Sequence, residues 1–155
     1  TTGWQEHAYL QPEAHVGNSS ILFWLLTLPN AMPQRRQGKG ELTQAGMEQT
    51  GTYIDQVMAT LDQAQMARPD AALIQAEYRW LGDILRLAVK LGMARAKTGL
   101  DQPVSAISPA SRRALAAEMR PLLDRFANLW VQRSRPGGLE DGLARFQRTL
   151  AQLES

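Results

Sequence analysis

The chain has 155 residues, enough for one domain with a buried core, and no cysteine, which excludes a disulfide framework, a thiolate metal site and a thiol nucleophile. Its formal net charge is +2, and its fourteen arginines and three lysines are spread among fifteen acids, not gathered into the basic stripe of a nucleic-acid surface. Ala and Leu each occur 21 times and Val and Ile only five times each, a bias that favours helix over strand.

Residues 1–17, punctuated by Pro12 and Gly17, read as an irregular N-terminal segment, and 18–155 as a single helical bundle domain. The absence of an initial Met reads as a fragment or a processed product. "NSS" at 18–20 offers capping side chains before a short, very apolar helix that runs to about Thr27. This apolar run, 21–29, is far too short to span a bilayer and lacks the basic flank of a signal peptide. A basic loop containing "QRRQGKG" follows.

A second helix is expected from about 42 to 66, with Met47, Ile54, Met58 and Leu61 at helical spacing. Gly46 and Gly51 within it read as points of close approach to a neighbouring helix. "RPD" at 68–70 ends it and caps the next. The third helix, about 70–98, carries two adjacent apolar stripes: Leu73, Trp80, Ile84, Leu87, Leu91 and Ala94, and Ile74, Tyr78, Leu81, Leu85 and Ala88. A face that wide can contact two helices. Gln75, Arg79, Asp83, Arg86, Lys90 and Lys97 fall on the outside, and Gly99 reads as a cap.

Ser108 followed by Pro109 is a helix-start signal. The fourth helix should run to about Arg133 with Leu115, Met119, Leu122, Phe126, Leu129 and Trp130 inward, and Pro121 within it predicts a kink. The last helix has Leu139, Leu143, Phe146, Leu150 and Leu153 at 4-3-4-3 spacing, a narrow seam for packing on one side. The expected fold is all-α: an antiparallel helical bundle of four long helices and one short apolar N-terminal helix.

Between the last two helices lies "SRPGGLEDGLARF", 134–146. Glu140 and Asp141 are adjacent, so on a helix they diverge and cannot flank one bond as an acid–base pair. They suit a first helical turn, where acids face the positive end of the dipole, and Asp141 can pair with Arg145. Gly137 and Gly138 lack the preceding strand and the spacing of a phosphate-binding fingerprint. They permit the positive φ of a chain reversal after Pro136, while Arg133 suits the negative end of its helix. His7 and His15 have no acid cluster at ligand spacing, so no metal site is expected. Ser19, Ser20, Ser108 and Ser134 read as caps or turn residues, because no partner base accompanies them. Trp24, Tyr78, Trp80, Phe126, Trp130 and Phe146 read as core. No catalytic machinery and no cofactor site is visible. The candidate positions are those of the corner, as a structural turn or a domain interface: Trp130, Arg133, Arg135, Pro136, Gly137, Gly138 and Asp141.

"NSSILFWLL" (18–26) fits an Asn-small-Ser-x-Leu-Phe pattern, and "LWVQRSRPGGLEDGLARF" (129–146) fits Leu-Trp-x-x-Arg-x-Arg-Pro-Gly-Gly-Leu-x-Asp. With "RLAVKLGMARAKTG" (86–99) between them, the chain resembles the helical region that follows the catalytic barrel in some bacterial family 20 glycoside hydrolases, the β-N-acetylhexosaminidases. Gly142 departs from the Ser expected there. The catalytic Asp-Glu pair of that family sits at the end of a barrel strand, and this chain has neither the strand pattern nor an Asp-Glu dipeptide. The resemblance therefore implies a non-catalytic C-terminal accessory domain that packs against the catalytic barrel of the same parent chain. From the spread of charge and the short apolar run, no nucleic-acid and no membrane partner is expected; weak self-association is possible. The alternatives are a free-standing helical binding or adaptor module, such as the ligand-binding portion of a regulator, and a small helical enzyme.

Overall fold

The computed structural model of the chain describes residues 20–30 and 42–155; the N-terminal segment 1–17 and the basic loop lie outside the described residues. Among the described residues five helices follow in order: α1 (Ile21–Thr27), α2 (Gln44–Ala59), α3 (Ala71–Thr98), α4 (Pro109–Arg133) and α5 (Leu139–Glu154). Short 3-10 turns occupy Leu61–Gln63 and Val104–Ala106. No strand occurs among the described residues, and the fold is an all-α bundle.

Helix α3 is the axis of the molecule. Its 28 residues reach roughly 42 Å at 1.5 Å each, and it packs on α1, α2 and α4. Neighbours run antiparallel. Met47, early in α2, meets Gly92, late in α3, while Met58 meets Gly82. Lys90, Asp83 and Glu77 of α3 pair in turn with Glu118, Arg125 and Arg133 of α4. Phe126 and Arg120 of α4 then meet Phe146 and Glu154 of α5.

The width of the α3 apolar face is used as the sequence implies, because α3 lines two cores. One joins Ile84, Leu87 and Leu91 to Leu115, Met119 and Leu122 of α4, to Phe146 and Leu153 of α5, and to Leu26. The other gathers Leu25, Met47, Ile54 and Val89. Each such side chain contributes about 1.5–3 kcal/mol on burial.

Glycine sets how closely α3 approaches its neighbours. A Cβ on Gly92 would lie 2.7 Å from Met47 Sδ and 2.9 Å from Leu25 Cδ1. That corrects the expectation for α2: a Cβ on Gly51 would make an ordinary 3.5 Å contact with Val89, and Gly46 faces its own cap residue, Thr43. The close approaches lie on α3.

Local signals hold at some ends and fail at others. Ser108 Oγ accepts the Ser111 N–H at 3.3 Å, with Pro109 as the first helical residue, and Gly99 takes a φ of 112° after α3. Helix α2 stops at Ala59 and not near Met66, because Thr60 turns back onto Val57 and the chain tightens into the 3-10 turn. Asp70 stands at the α3 cap position without making a cap bond; its carboxylate is taken by Arg68 and Arg133. Tyr78 and Leu81, expected inward, are exposed. Helix α4 runs unbroken through the exposed Pro121.

Candidate functional site

The corner between α4 and α5 is knitted by its own residues. The Trp130 indole N–H donates to the Arg135 carbonyl at 2.8 Å, closing a loop of six residues over the end of α4. Gly138 then takes a φ of 87°, and a Cβ there would lie 3.5 Å from the Trp130 ring. Only Gly138 needs this freedom, for Gly137 has no positive φ and open space around it. The Leu139 N–H reaches the Pro136 carbonyl at 3.2 Å, and α5 begins.

Trp130 also terminates a run of rings. Its centroid lies 5.6 Å from Phe126, which stands 5.0 Å from Trp80 and 6.2 Å from Phe146, itself 6.3 Å from Phe23. The Trp80 N–H donates to the Leu122 carbonyl at 2.8 Å. These separations and tilts are those of packed aromatic pairs.

Arg133 does more than face a helix end. It holds both carboxylate oxygens of Glu77 and reaches Asp70 at 3.5 Å, tying the end of α4 to the start of α3. The Glu77 hydrogen bond raises the Arg133 guanidinium above its ordinary value. The Arg68 hydrogen bond does most to draw the Asp70 carboxyl below its usual 3.8. Of the candidate positions, the structure engages the side chains of Trp130 and Arg133, packs Gly138 on the indole, and uses Arg135 and Pro136 through their backbone carbonyls. Arg135, Pro136, Gly137 and Asp141 are exposed. No ion pair joins Asp141 to Arg145 among the described residues; the two acids Glu140 and Asp141 occupy the first turn of α5.

A shallow groove of about 450 Å³ lies between α2, α3 and α4. Its walls carry Asp55, Asp62, Asp83, Arg79, Arg86 and Arg125. Arg86 pairs with Asp55 at 2.6 Å and Asp83 at 3.2 Å, Arg125 with Asp83 at 2.7 Å, and Arg79 with Asp62 at 3.2 Å. Every charge there is met by its opposite, and each side chain keeps a third or more of its surface in water. Such a network joins three helices in the high dielectric of the surface. Among the described residues no group of His, Asp or Glu could hold a metal ion. His7 and His15 lie outside the described residues.

Sequence reasoning missed one charged residue of consequence. Arg95 is 1% exposed. Its guanidinium donates to the carbonyls of Leu28 at 2.6 Å, Asn30 at 2.5 Å and Gln102 at 3.2 Å, and among the described residues no carboxylate pairs with it. Burial lowers its pKa, yet an arginine stays protonated. The signal was present: Ile84, Ala88, Leu91 and Arg95 are spaced 4-3-4, so Arg95 falls on the buried face.

No protein-family model matches the chain, and neither a curated protein nor a solved structure does.

Proposed function

We propose that the chain is a non-catalytic helical accessory domain of a family 20 β-N-acetylhexosaminidase-like glycoside hydrolase, packing against or stabilising the catalytic barrel of its parent. The observation that carries the proposal is the use made of the Leu-Trp-x-x-Arg-x-Arg-Pro-Gly-Gly-Leu segment. Trp130 closes the turn on the Arg135 carbonyl, Arg133 binds α3, and Gly138 reverses the chain against the indole. Side chains engaged in building a corner suit a scaffold role, and this supports the reading. It leaves the chemistry of sugar cleavage to a barrel elsewhere in the parent.

The test has two arms. The isolated chain should not hydrolyse a chromogenic N-acetylglucosaminide, and the reading frame upstream of Thr1 should encode βα repeats. Joined to that upstream region, the domain should raise its thermal midpoint. Turnover by the chain alone, abolished by a substitution within it, would overturn the proposal. So would an upstream region without a βα pattern, which would favour the free-standing binding module.

A further inference from the structure

The groove between α2, α3 and α4 holds more hydrogen-bonding capacity than its ion pairs use. Arg79, Asp83 and Arg86 recur at 4-3 spacing and so share one face of α3. Asp55 of α2 and Asp62 of the 3-10 turn meet them from one side, and Arg125 of α4 from the other. A guanidinium carries five N–H donors. Within the groove Arg79 and Arg125 each spend one of them and Arg86 two. Asp55 and Asp62 each accept through Oδ1, and their Oδ2 atoms accept nothing among the described residues. The ion pairs hold these unspent groups in place around one concavity, to which Met58, Ala59 and Leu61 add apolar surface.

Charge selects the kind of ligand. Three aspartates and three arginines line the groove, so its net charge is zero. A phosphate or carboxylate entering it meets carboxylate oxygens beside every guanidinium, and a cation meets the converse, so neither gains a net field. A neutral ligand rich in hydroxyls suits the set, because each hydroxyl brings one donor and two acceptor lone pairs. Such hydroxyls donate to the open aspartate oxygens and accept from the open guanidinium N–H groups, while C–H surface lies on Met58, Ala59 and Leu61. The volume of about 450 Å³ falls within the ~300–1,000 Å³ of small-molecule sites.

We infer that this groove is a binding site for a neutral sugar, held by alternating aspartate and arginine contacts to its hydroxyls. The choice of a sugar among neutral polyols rests on the accessory-domain reading above; the preference for an uncharged, hydroxyl-rich ligand rests on the groove. The site is open to solvent and buries one face of its ligand, so the affinity is low, with a Kd on the order of 1 mM. A domain that retains sugar in this way raises its concentration near a catalytic barrel without taking part in bond cleavage.

Titration of the 155-residue chain with the β-1,4-linked disaccharide of N-acetylglucosamine, followed by amide NMR to ~10 mM, tests this at roughly ten times the expected Kd. Amides of α2, the first 3-10 turn and the facing part of α3 should shift together and saturate, and inorganic phosphate at equal concentration should move them less. Asp62 and Arg79 are largely exposed and pair with each other, so Asp62→Ala with Arg79→Ala removes one wall at constant net charge. That double variant should bind at least ~tenfold more weakly with unchanged helical circular dichroism, since hydrogen bonds to charged groups are lost. Lys90→Ala with Glu118→Ala removes an exposed α3–α4 pair outside the groove and should leave binding unaltered. No shift at the highest concentration, binding that survives the Asp62 and Arg79 substitutions, or a larger response to phosphate would each overturn the inference. Its failure is separable from that of the accessory-domain reading, because the titration requires neither hydrolysis nor the upstream region.

Discussion

At the scale of single residues, Gly138 and Gly137 divide a role that their pairing in sequence makes look shared. Gly138 sits at φ 87° with the Trp130 ring 3.5 Å from where a Cβ would be, whereas Gly137 faces open space. A left-handed conformation costs a residue with a Cβ about 1–2 kcal/mol, and a β-branched residue more. Gly138→Val should therefore lower the urea midpoint by the equivalent of about 2 kcal/mol or more, from strain at φ and contact with the indole. Gly137→Ala should stay within about 0.5 kcal/mol of the parent, as an ordinary exposed substitution does. Equal losses for the two would show that the corner does not depend on the left-handed residue.

At the scale of elements, the packing of α1 and α2 on α3 is set by where Cβ atoms are missing. Adding a methyl at Gly92 intrudes on Met47 and Leu25, both buried and unable to swing into solvent. Overpacking of this kind costs about 1–3 kcal/mol, and the helical preference for Ala returns up to about 1 kcal/mol. Gly92→Ala should thus destabilise by about 1 kcal/mol net. Gly142→Ala is the matched comparison. It too lies within a helix, but its Cβ would rest on Phe126 at an ordinary 3.5 Å, so it should gain about 0.5–1 kcal/mol. Thermal or urea denaturation of both variants separates close approach from propensity, and the same sign of change in both would contradict it.

At the scale of the whole molecule, Arg95 joins parts that sequence keeps far apart. From the last turn of α3 it binds carbonyls of Leu28 and Asn30, after α1, and of Gln102, before the 3-10 turn. The Val104 N–H donates to the Pro29 carbonyl at 2.7 Å, and the Gln152 amide of α5 reaches Asn30 Oδ1 at 3.1 Å. The segment after α1 is thereby fixed to α3, the 3-10 turn and α5. Arg95→Met fills similar space but leaves three carbonyls without their donors, and hydrogen bonds from a charged donor are worth about 1.5–3 kcal/mol each. Part of that sum is offset because the buried cation itself is costly. The expected loss is about 2–4 kcal/mol in urea unfolding. An unchanged midpoint would mean that desolvation of the guanidinium cancels all three bonds.

Much of this architecture was legible in the chain itself. The 3.6-residue recurrence of Leu, Met, Ile and Phe placed the four long helices, the Ser108–Pro109 start and the Gly99 stop set two of their ends, and the double stripe on α3 gave room for two neighbours. These are local properties, fixed by backbone geometry and by the spacing of apolar side chains. What only the tertiary structure decided depends on a partner distant in sequence. Asp70 stands at the cap position, but its carboxylate goes to arginines, one of them 63 residues away. Tyr78 and Leu81 have the spacing of core residues but are exposed, because among the described residues no element packs over them. Arg95 is buried because carbonyls from two other segments converge on it, and Gly137 and Gly138 differ because one alone meets Trp130. Periodicity tells which face of a helix is apolar; whether another element is long enough to cover that face is a property of the assembled chain.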